Sequence, residues 1–511
     1  MSDQVVIGLD LGTTSIKAVA LDASGRAHGV VQHEAPPHRD ASGRSEQDPE
    51  LVVAAVKRCL REVTAKAADA GLTVAGVATS AAMHSLMAVD ADNEPLTGGI
   101  TWGDRRAVDQ ARRIKQEHDH LAIYKRTGVP LHPMTPLTKL MWFRENESDL
   151  YARAARWVSM KEHVQHRLCG EWFVDRSTAS TSGLLSLETL DWDDELLDVL
   201  ALERAKLSPV VDSTYRGGTI RPDAASELGL PTDCAVVAGA SDGALANIGV
   251  GALTDGVVAC SIGTSGAVRV LSTRPLLDPH GRLFCYPFED HFLVGGSINN
   301  GGVALQWVRD QFFSELVDIE LEGGMSAYEA LDELASSVPP GADGLLFLPY
   351  LLGERAPYWN PDARGVMFGL TMQHGRAHLV RAALEGVIHQ MNLVVELLEG
   401  LIGDVTEVRV TGGFARSSVW CQIMADICRH RVLVPVSEQG SAFGAAAVGL
   451  KALGLTTSFD LPETGRTGRF EPTPALEAVY RPASARFARL YGALEGEFAS
   501  AAQERSGGER L

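Results

Sequence analysis

One short pattern occurs twice: Asp10-Leu11-Gly12-Thr13-Thr14-Ser15 near the start and Ser261-Ile262-Gly263-Thr264-Ser265-Gly266 at the middle, the turn glycines 251 positions apart. Each copy follows a β-branched run (Val5, Val6 and Ile7; Val257, Val258 and Ile262) and precedes another apolar run (16–21; 267–271). That spells strand, tight Gly-hydroxyl turn, strand, twice over. Such a turn gathers backbone N–H groups and hydroxyls into one small space, which suits phosphate oxygens. A single Gly-Thr turn reads as an ordinary hairpin. Two in equivalent settings, facing one another, would grip a nucleotide's phosphates from both sides.

At 511 residues the chain exceeds what one core can organise, so two large domains are expected. No apolar run approaches the ~18 residues of a membrane span, and no basic and apolar leader opens the sequence, so a cytoplasmic location is expected. Seven cysteines without a C-x-x-C pair fit reduced thiols. Cys421 and Cys428, seven apart in a helical stretch, read as packing residues rather than zinc ligands. The net charge of −19, with no basic stripe, argues against nucleic acid or anionic membrane as partner.

The first domain opens with strands expected at 5–10, 16–21 and 27–33, then a helix over 49–70 with Leu51, Ala55, Val56 and Leu60 on one face. Strands at 74–79 and 86–90 flank Ser80-Ala81-Ala82-Met83-His84-Ser85. Helical insertions fill 120–230, and a strand at 235–239 ends at Gly239-Ala240-Ser241-Asp242-Gly243. The second domain restarts with strands at 256–262, 267–271 and 292–295 and helices near 302–313 and 377–400. A strand at 406–411 then meets Gly412-Gly413-Phe414-Ala415-Arg416-Ser417, followed by a helix at 418–429, a strand at 432–435 and a small-residue helix over 441–453. A helix over 475–501 and a frayed polar end, 504–511, close the chain. The expected domains are 1–250, 251–455 and a C-terminal helix and tail, 456–511, with a hinge near 245–255.

Two long runs carry a family resemblance. One is Met134-Thr135-Pro136-Leu137-Thr138-Lys139-Leu140-Met141-Trp142-Phe143-Arg144-Glu145-Asn146. The other is Gly365-Val366-Met367-Phe368-Gly369-Leu370, seven residues, then His378-Leu379-Val380-Arg381-Ala382-Ala383-Leu384-Glu385. With the paired turns they make the chain resemble the FGGY carbohydrate kinases. The resemblance implies an α/β fold of two ribonuclease-H-like domains, of the actin/Hsp70 ATPase type, with a central cleft. The segments 82–85, 100–106 and 126–134 resemble the branch that phosphorylates gluconate. Xylulose kinases typically carry Gly-Gln-Met-His-Gly where this chain has Ala81-Ala82-Met83-His84-Ser85, which makes xylulose the runner-up.

The resemblance implies ATP-dependent phosphorylation of gluconate at its 6-hydroxyl, with ATP and Mg²⁺ required and a homodimer as the usual assembly. Asp10, at a strand end beside the first turn, is the expected Mg²⁺ ligand. Thr13 and Thr14 would meet the transferring phosphoryl group, and Gly263 and Thr264 the other phosphates. Gly412 and Gly413 would face the adenosine, with Arg416 and Ser417 nearby. Asp242, following an apolar strand in a small-residue turn with Gly243, is the expected general base for the sugar hydroxyl. Met83, His84, Trp102 and Asp104 are the expected substrate contacts, and His132 and Met134 lie in a loop implied to be close. The substrate's carboxylate needs a donor, for which Lys139, Lys161, Arg105, Arg106 and the 130–134 backbone are candidates. Gly353-Glu354-Arg355-Ala356-Pro357 looks family-wide, with a structural or domain-interface role expected before a ligand role. An actin- or Hsp70-like ATPase driving a protein partner would use the same clamp, but it would leave the Met83-His84 and Trp102-Gly103-Asp104 segments without a purpose.

Overall fold

The computed structural model describes residues 3–40, 42–435, 440–460 and 466–508. It forms two compact units. The first comprises Met1–Leu253, Leu271–Val294 and Gln439–Thr464; the second comprises Thr254–Val270, Gly295–Glu438 and Gly465–Leu511. The division follows packing rather than chain order, so two segments beyond residue 250 belong with the first unit.

The sheet of the first unit is built from β1 (Gln4–Leu11), β2 (Ser15–Asp22), β3 (Ala27–Glu34), β4 (Thr73–Ala81), β5 (Arg216–Thr219) and β6 (Ala235–Ser241). Their order is β3-β2-β1-β4-β6-β5. β1 pairs antiparallel with β2 and parallel with β4; β4 and β6 are parallel, and β5 is an antiparallel edge. The other large sheet, most of which lies in the second unit, holds β7 (Val257–Ile262), β8 (Gly266–Ser272), β9 (His291–Ile298), β10 (Glu407–Thr411), β11 (Val432–Pro435) and β12 (Arg466–Phe470). Here β9, β8, β7, β10, β11 and β12 follow one another, with β7–β8 antiparallel, β7–β10 and β10–β11 parallel, and β11–β12 antiparallel. The two sheets share one plan, and the duplicated hairpin occupies the same place in each.

Alternation along β1 fixes what covers each face. Val5, Ile7, Leu9 and Leu11 join the core beneath the Pro49–Asp69 helix, while Val6 faces a second cluster with Leu245, Ile248 and Ala445. Gly8 faces that second side too. A Cβ there would lie 1.9 Å from the carbonyl oxygen of Ala442, so the Gly440–Ala452 helix can rest directly on the strand. That contact places this late helix in the first unit. It also crosses the Asp242–Gly249 helix at backbone distance, since a Cβ on Gly444 would lie 2.0 Å from the Leu245 oxygen.

The Pro49–Asp69 helix starts where Asp48 accepts from the amides of Glu50 and Leu51, with proline in the first turn. Its buried stripe is Val52, Val53, Ala55, Val56, Cys59, Leu60 and Val63. Leu51, expected on that stripe, is 58% exposed: it sits one residue, about 100°, away from Val52. The last helix, Glu477–Gly508, runs through part of the end expected to fray, because Ala501, Ala502, Gln503 and Glu504 all favour helix. Tyr480, Phe487, Tyr491 and Phe498 anchor it. Among the described residues no helix is long and apolar enough to cross a membrane. Cys421 and Cys428 are buried in the Ser418–Cys428 helix.

Candidate active site

In the first unit, three parallel strands end on one row. Asp10 pairs with Ser80 and Ser80 with Ala240; one step on, Leu11, Ala81 and Ser241 are in register. The even-numbered face of β1 therefore carries Asp10 toward the start of the Gly440–Ala452 helix. There its carboxylate accepts from Ser80 Oγ at 2.7 Å and from Ser441 Oγ at 2.8 Å. Asp242 opens its helix directly after β6. With strands about 4.8 Å apart, Asp10 and Asp242 share an edge two strand spacings wide, roughly 10 Å. This is the carboxyl end of the parallel strands, where α/β sheets hold ligands.

A bulge aims Asp242. The β4–β6 register shifts between Val237 and Ala240, and Gly239 takes φ +62° with the Thr79 oxygen 1.8 Å from where a Cβ would be. The Ser241 hydroxyl lies 2.5 Å from the Ser177 hydroxyl, and the Ser241 amide donates to Ser177 Oγ at 3.2 Å. Asp242 is half-buried and Gly243 buried behind it.

The expected substrate residues approach the same edge from two segments. His84 has φ +64°, an uncommon setting for a non-glycine residue; its ring Nδ1 donates to the Thr181 carbonyl at 2.7 Å and its amide to Thr181 Oγ1 at 3.2 Å. Met83 packs beside the cluster containing Phe284 and Tyr286. Trp102 is half-buried, and its Nε1 donates to Thr13 Oγ1 at 3.1 Å, which joins the 100–106 segment to the Gly12 turn. Gln47 Nε2 braces that turn, donating to the carbonyls of Gly12 at 3.1 Å and Thr13 at 3.0 Å. Thr14 is exposed at its tip.

Asp104 is placed differently from a substrate contact. It is 2% exposed, accepts from the Ser45 amide at 2.7 Å, and is bound by Arg106 through Nε and Nη2, each at 2.8 Å. It shapes its loop. Arg106 also pairs with Glu46 and lies over Trp142. Two further candidate cations are equally committed. Lys139 is fully buried and donates to the carbonyls of His84 at 2.7 Å and Thr101 at 2.9 Å, so it ties the 82–85 and 100–106 segments together. Burial pulls its ammonium down to about 7, with the Asp104 charge opposing the drop and Arg106 adding to it. Lys161 is 1% exposed and paired with Asp175 at 2.5 Å. Arg105 is exposed. His132 serves its own loop, its ring Nδ1 accepting from the Met134 amide and its carbonyl from the hydroxyls of Thr135 and Thr138; Met134 is buried.

In the second unit the register sets Ser261 opposite Thr411, so the Gly263 and Gly412 turns leave neighbouring parallel strands side by side. Gly263 and Thr264 are exposed, and their carbonyls accept from the amides of Gly302 (2.7 Å), Gly301 (3.1 Å) and Val303 (3.2 Å) at the start of the Gly302–Phe312 helix. A Cβ on Gly263 would meet nothing within 4 Å, so that side of the turn is open. Gly412 has φ +97°, and a Cβ would lie 2.3 Å from the Ile262 oxygen; Gly413 opens outward like Gly263. Arg416 is exposed beyond it. Ser417 caps the Ser418–Cys428 helix, accepting from the Trp420 amide at 3.0 Å.

Five residues of the first unit's site were given no role from the sequence: Gln47, Ser80, Ser441, Ser177 and Thr181. Ser80 had a local signal, a hydroxyl ending an apolar strand. Ser441 meets Asp10 across 431 positions, and no spacing rule connects them.

A match to known proteins spans both units. Residues 5–249 match the FGGY family of carbohydrate kinases, N-terminal domain, and 258–453 its C-terminal domain. A gluconokinase of Bacillus subtilis (strain 168) is 40% identical over 509 residues, 98% of either chain. Solved structures of a gluconate kinase and of a xylulose kinase from Lactobacillus acidophilus each superpose with a TM-score of 0.91 at 32% identity, covering 97% of this chain and 99% of theirs. With paired hairpins, matching sheet plans and full-length similarity all in agreement, the chain belongs to the FGGY family of carbohydrate kinases.

Proposed function

We propose that the protein transfers the γ-phosphoryl group of ATP to the 6-hydroxyl of D-gluconate, giving 6-phospho-D-gluconate, with Asp242 as general base. The observation that carries the choice of substrate is the 40% identity to a gluconokinase along 98% of both chains. The Lactobacillus gluconate and xylulose kinase structures match equally well, so backbone likeness does not choose between acceptors. D-xylulose is therefore the second acceptor to test.

Phosphoryl transfer asks a protein mainly for positioning and charge stabilisation. Asp242 accepts the hydroxyl proton as the new P–O bond forms, help typically worth 10²–10⁴-fold. His84, Met83 and Trp102 hold the acceptor, with His84 steadied by Thr181 and Trp102 by Thr13. Arg105 is the exposed cation to test for the carboxylate. Thr13 and Thr14 receive the transferring group, and Gly263 and Thr264 the remaining phosphates. Gly412, Gly413 and Arg416 face the adenosine, while Ser417 sets their helix.

A Mg²⁺ ion fits the residues present. Each Asp10 oxygen takes one hydroxyl hydrogen bond and keeps a second acceptor site. Among the described residues no group of three His, Cys, Asp or Glu could enclose a metal, as suits an ion that protein cages rarely hold and that a single carboxylate, phosphates and water can carry. When bound, it supplies neutralisation of phosphate charge. By kinship we extend the proposal to a cytoplasmic homodimer, whose assembly light scattering of the purified protein tests.

The deciding experiment is ATP turnover with Mg²⁺ and D-gluconate, D-xylulose, glycerol, L-ribulose or no acceptor. Turnover with gluconate far above the rest, yielding 6-phosphogluconate, is expected. Preference for xylulose would overturn the substrate and keep Asp242, whereas ATP hydrolysis indifferent to every acceptor would overturn the kinase chemistry.

A further inference from the structure

The Gly353-Glu354-Arg355-Ala356-Pro357 segment has no part in the chemistry above, yet it is held by a dense local network of hydrogen bonds. Glu354 is wholly buried. Its Oε1 accepts from the Asn299 amide at 2.6 Å and from the Arg355 amide at 2.9 Å, and its Oε2 from Asn300 Nδ2 at 3.2 Å. Asn300, also buried, donates to the Gly353 carbonyl at 2.7 Å and accepts from the Leu352 amide at 3.0 Å. Arg355 closes the ring, donating to Asn299 Oδ1 at 2.7 Å and to the Ile298 carbonyl at 2.9 Å. All of this converges on 298–300, and the next two residues are Gly301 and Gly302, whose amides hold the carbonyls of Thr264 and Gly263. Neither glycine has room for a side chain, since Cβ atoms there would lie 2.6 Å from the Ser265 oxygen and 2.7 Å from the Gly263 oxygen, so the strap lies at backbone distance from the turn.

We propose that Glu354 is a positioning residue for the second phosphate turn, fixing through Asn299 and Asn300 the Gly301–Gly302 strap on which Gly263 and Thr264 rest. The proposal rests on the assignment of that turn to ATP phosphates. Three donors converge on one carboxyl group, a pattern that a carboxylate satisfies and a protonated acid only partly does. Burial pushes Glu354 up to about 7, with the Asn299, Arg355 and Asn300 donors and the Arg355 charge opposing the rise. The other titratable groups facing it are the phenols of Tyr350, Tyr358 and Tyr491, all raised by burial and neutral in this range. The strap is therefore held above about pH 7 and loosens below it.

Glu354→Gln keeps the size of the side chain but replaces one acceptor oxygen with a donor. At pH 8 it is expected to raise KM for ATP about tenfold, the loss of roughly one charged hydrogen bond, and to leave KM for the sugar acid within about twofold. At pH 6, where wild-type Glu354 is itself protonated, the ratio of variant to wild-type KM for ATP falls toward about two. A structural defect alone would move both KM values and show no such convergence. Asn300→Ala, which removes the side-chain amide that Glu354 Oε2 accepts from, tests the same link should the glutamine variant fail to fold, and a selective rise in KM for ATP is expected again. Gly263→Ala separates the two levels, because its methyl meets no protein atom and enters only the open side of the turn. If Gly263→Ala leaves KM for ATP unchanged, the phosphate assignment falls and this proposal with it. If Gly263→Ala raises it while Glu354→Gln and Asn300→Ala do not, the proposal alone is overturned.

Discussion

Replacing Lys139 with methionine tests whether the two substrate segments are held by a buried amine. The folded ammonium titrates near 7 rather than 10.5, so at pH 8 the native side chain is mostly neutral while the unfolded one is charged. The unfolded state then binds more protons, and stability rises with pH by about 1.4 kcal/mol per unit until the unfolded amine also titrates. At pH 8 the wild type carries a penalty of about 3 kcal/mol relative to pH well above 10.5, and at pH 9.5 about 1 kcal/mol. Methionine has no such penalty, but it leaves the carbonyls of His84 and Thr101 without this donor, at about 1–3 kcal/mol each. The two effects nearly cancel at pH 8. By pH 9.5 the variant is expected to fall about 2 kcal/mol further behind the wild type. Urea unfolding of both proteins at each pH, followed by tryptophan fluorescence, measures that divergence. Below pH 7 the variant should match or exceed the wild type. KM for the sugar acid should rise at every pH, because His84 and the Thr101 carbonyl next to Trp102 lose their common brace. Curves that run parallel in pH would refute the buried-amine account, whatever their offset.

Other perturbations separate chemistry from scaffold. Asp242→Asn should lower kcat by 10²–10⁴ with both KM values within about threefold, and a near-normal kcat would remove Asp242 as the base. Gly239→Ala should destabilise by several kcal/mol or abolish folding, since it combines φ +62° with a Cβ 1.8 Å from the Thr79 oxygen; a melting temperature within a few degrees of wild type would contradict the bulge. Asp10→Asn should raise the Mg²⁺ concentration for half-maximal turnover about tenfold, while Ser441→Ala does so by a smaller factor. An unchanged Mg²⁺ titration for Asp10→Asn would detach that carboxylate from the metal.

What the sequence revealed and what it hid divide by range. The paired turns were legible because their chemistry is local: β-branched residues make the strands, and glycine with hydroxyls makes the turn between them. The shared sheet plan followed from the repetition, since equal hairpins in a duplicated chain occupy equal places. Leu51 failed at finer grain, where a single residue's rotation around a helix decides between core and solvent. The cations failed for a deeper reason. Lys139, Lys161 and Arg106 read as free charges because sequence gives their sign and not their partners. Each is consumed inside the fold, by two carbonyls, by Asp175, and by Asp104 with Glu46. Only the Arg106–Asp104 pair, two residues apart, left a local trace. A buried charge has to be matched by whatever the fold brings to it, because leaving it bare costs several kcal/mol. Its neighbours are therefore set by tertiary packing, and a ligand role inferred from charge alone is weakest where burial is greatest. Arg105, exposed one residue before the committed Arg106, marks that contrast and is the cation whose removal should report on the sugar acid's carboxylate.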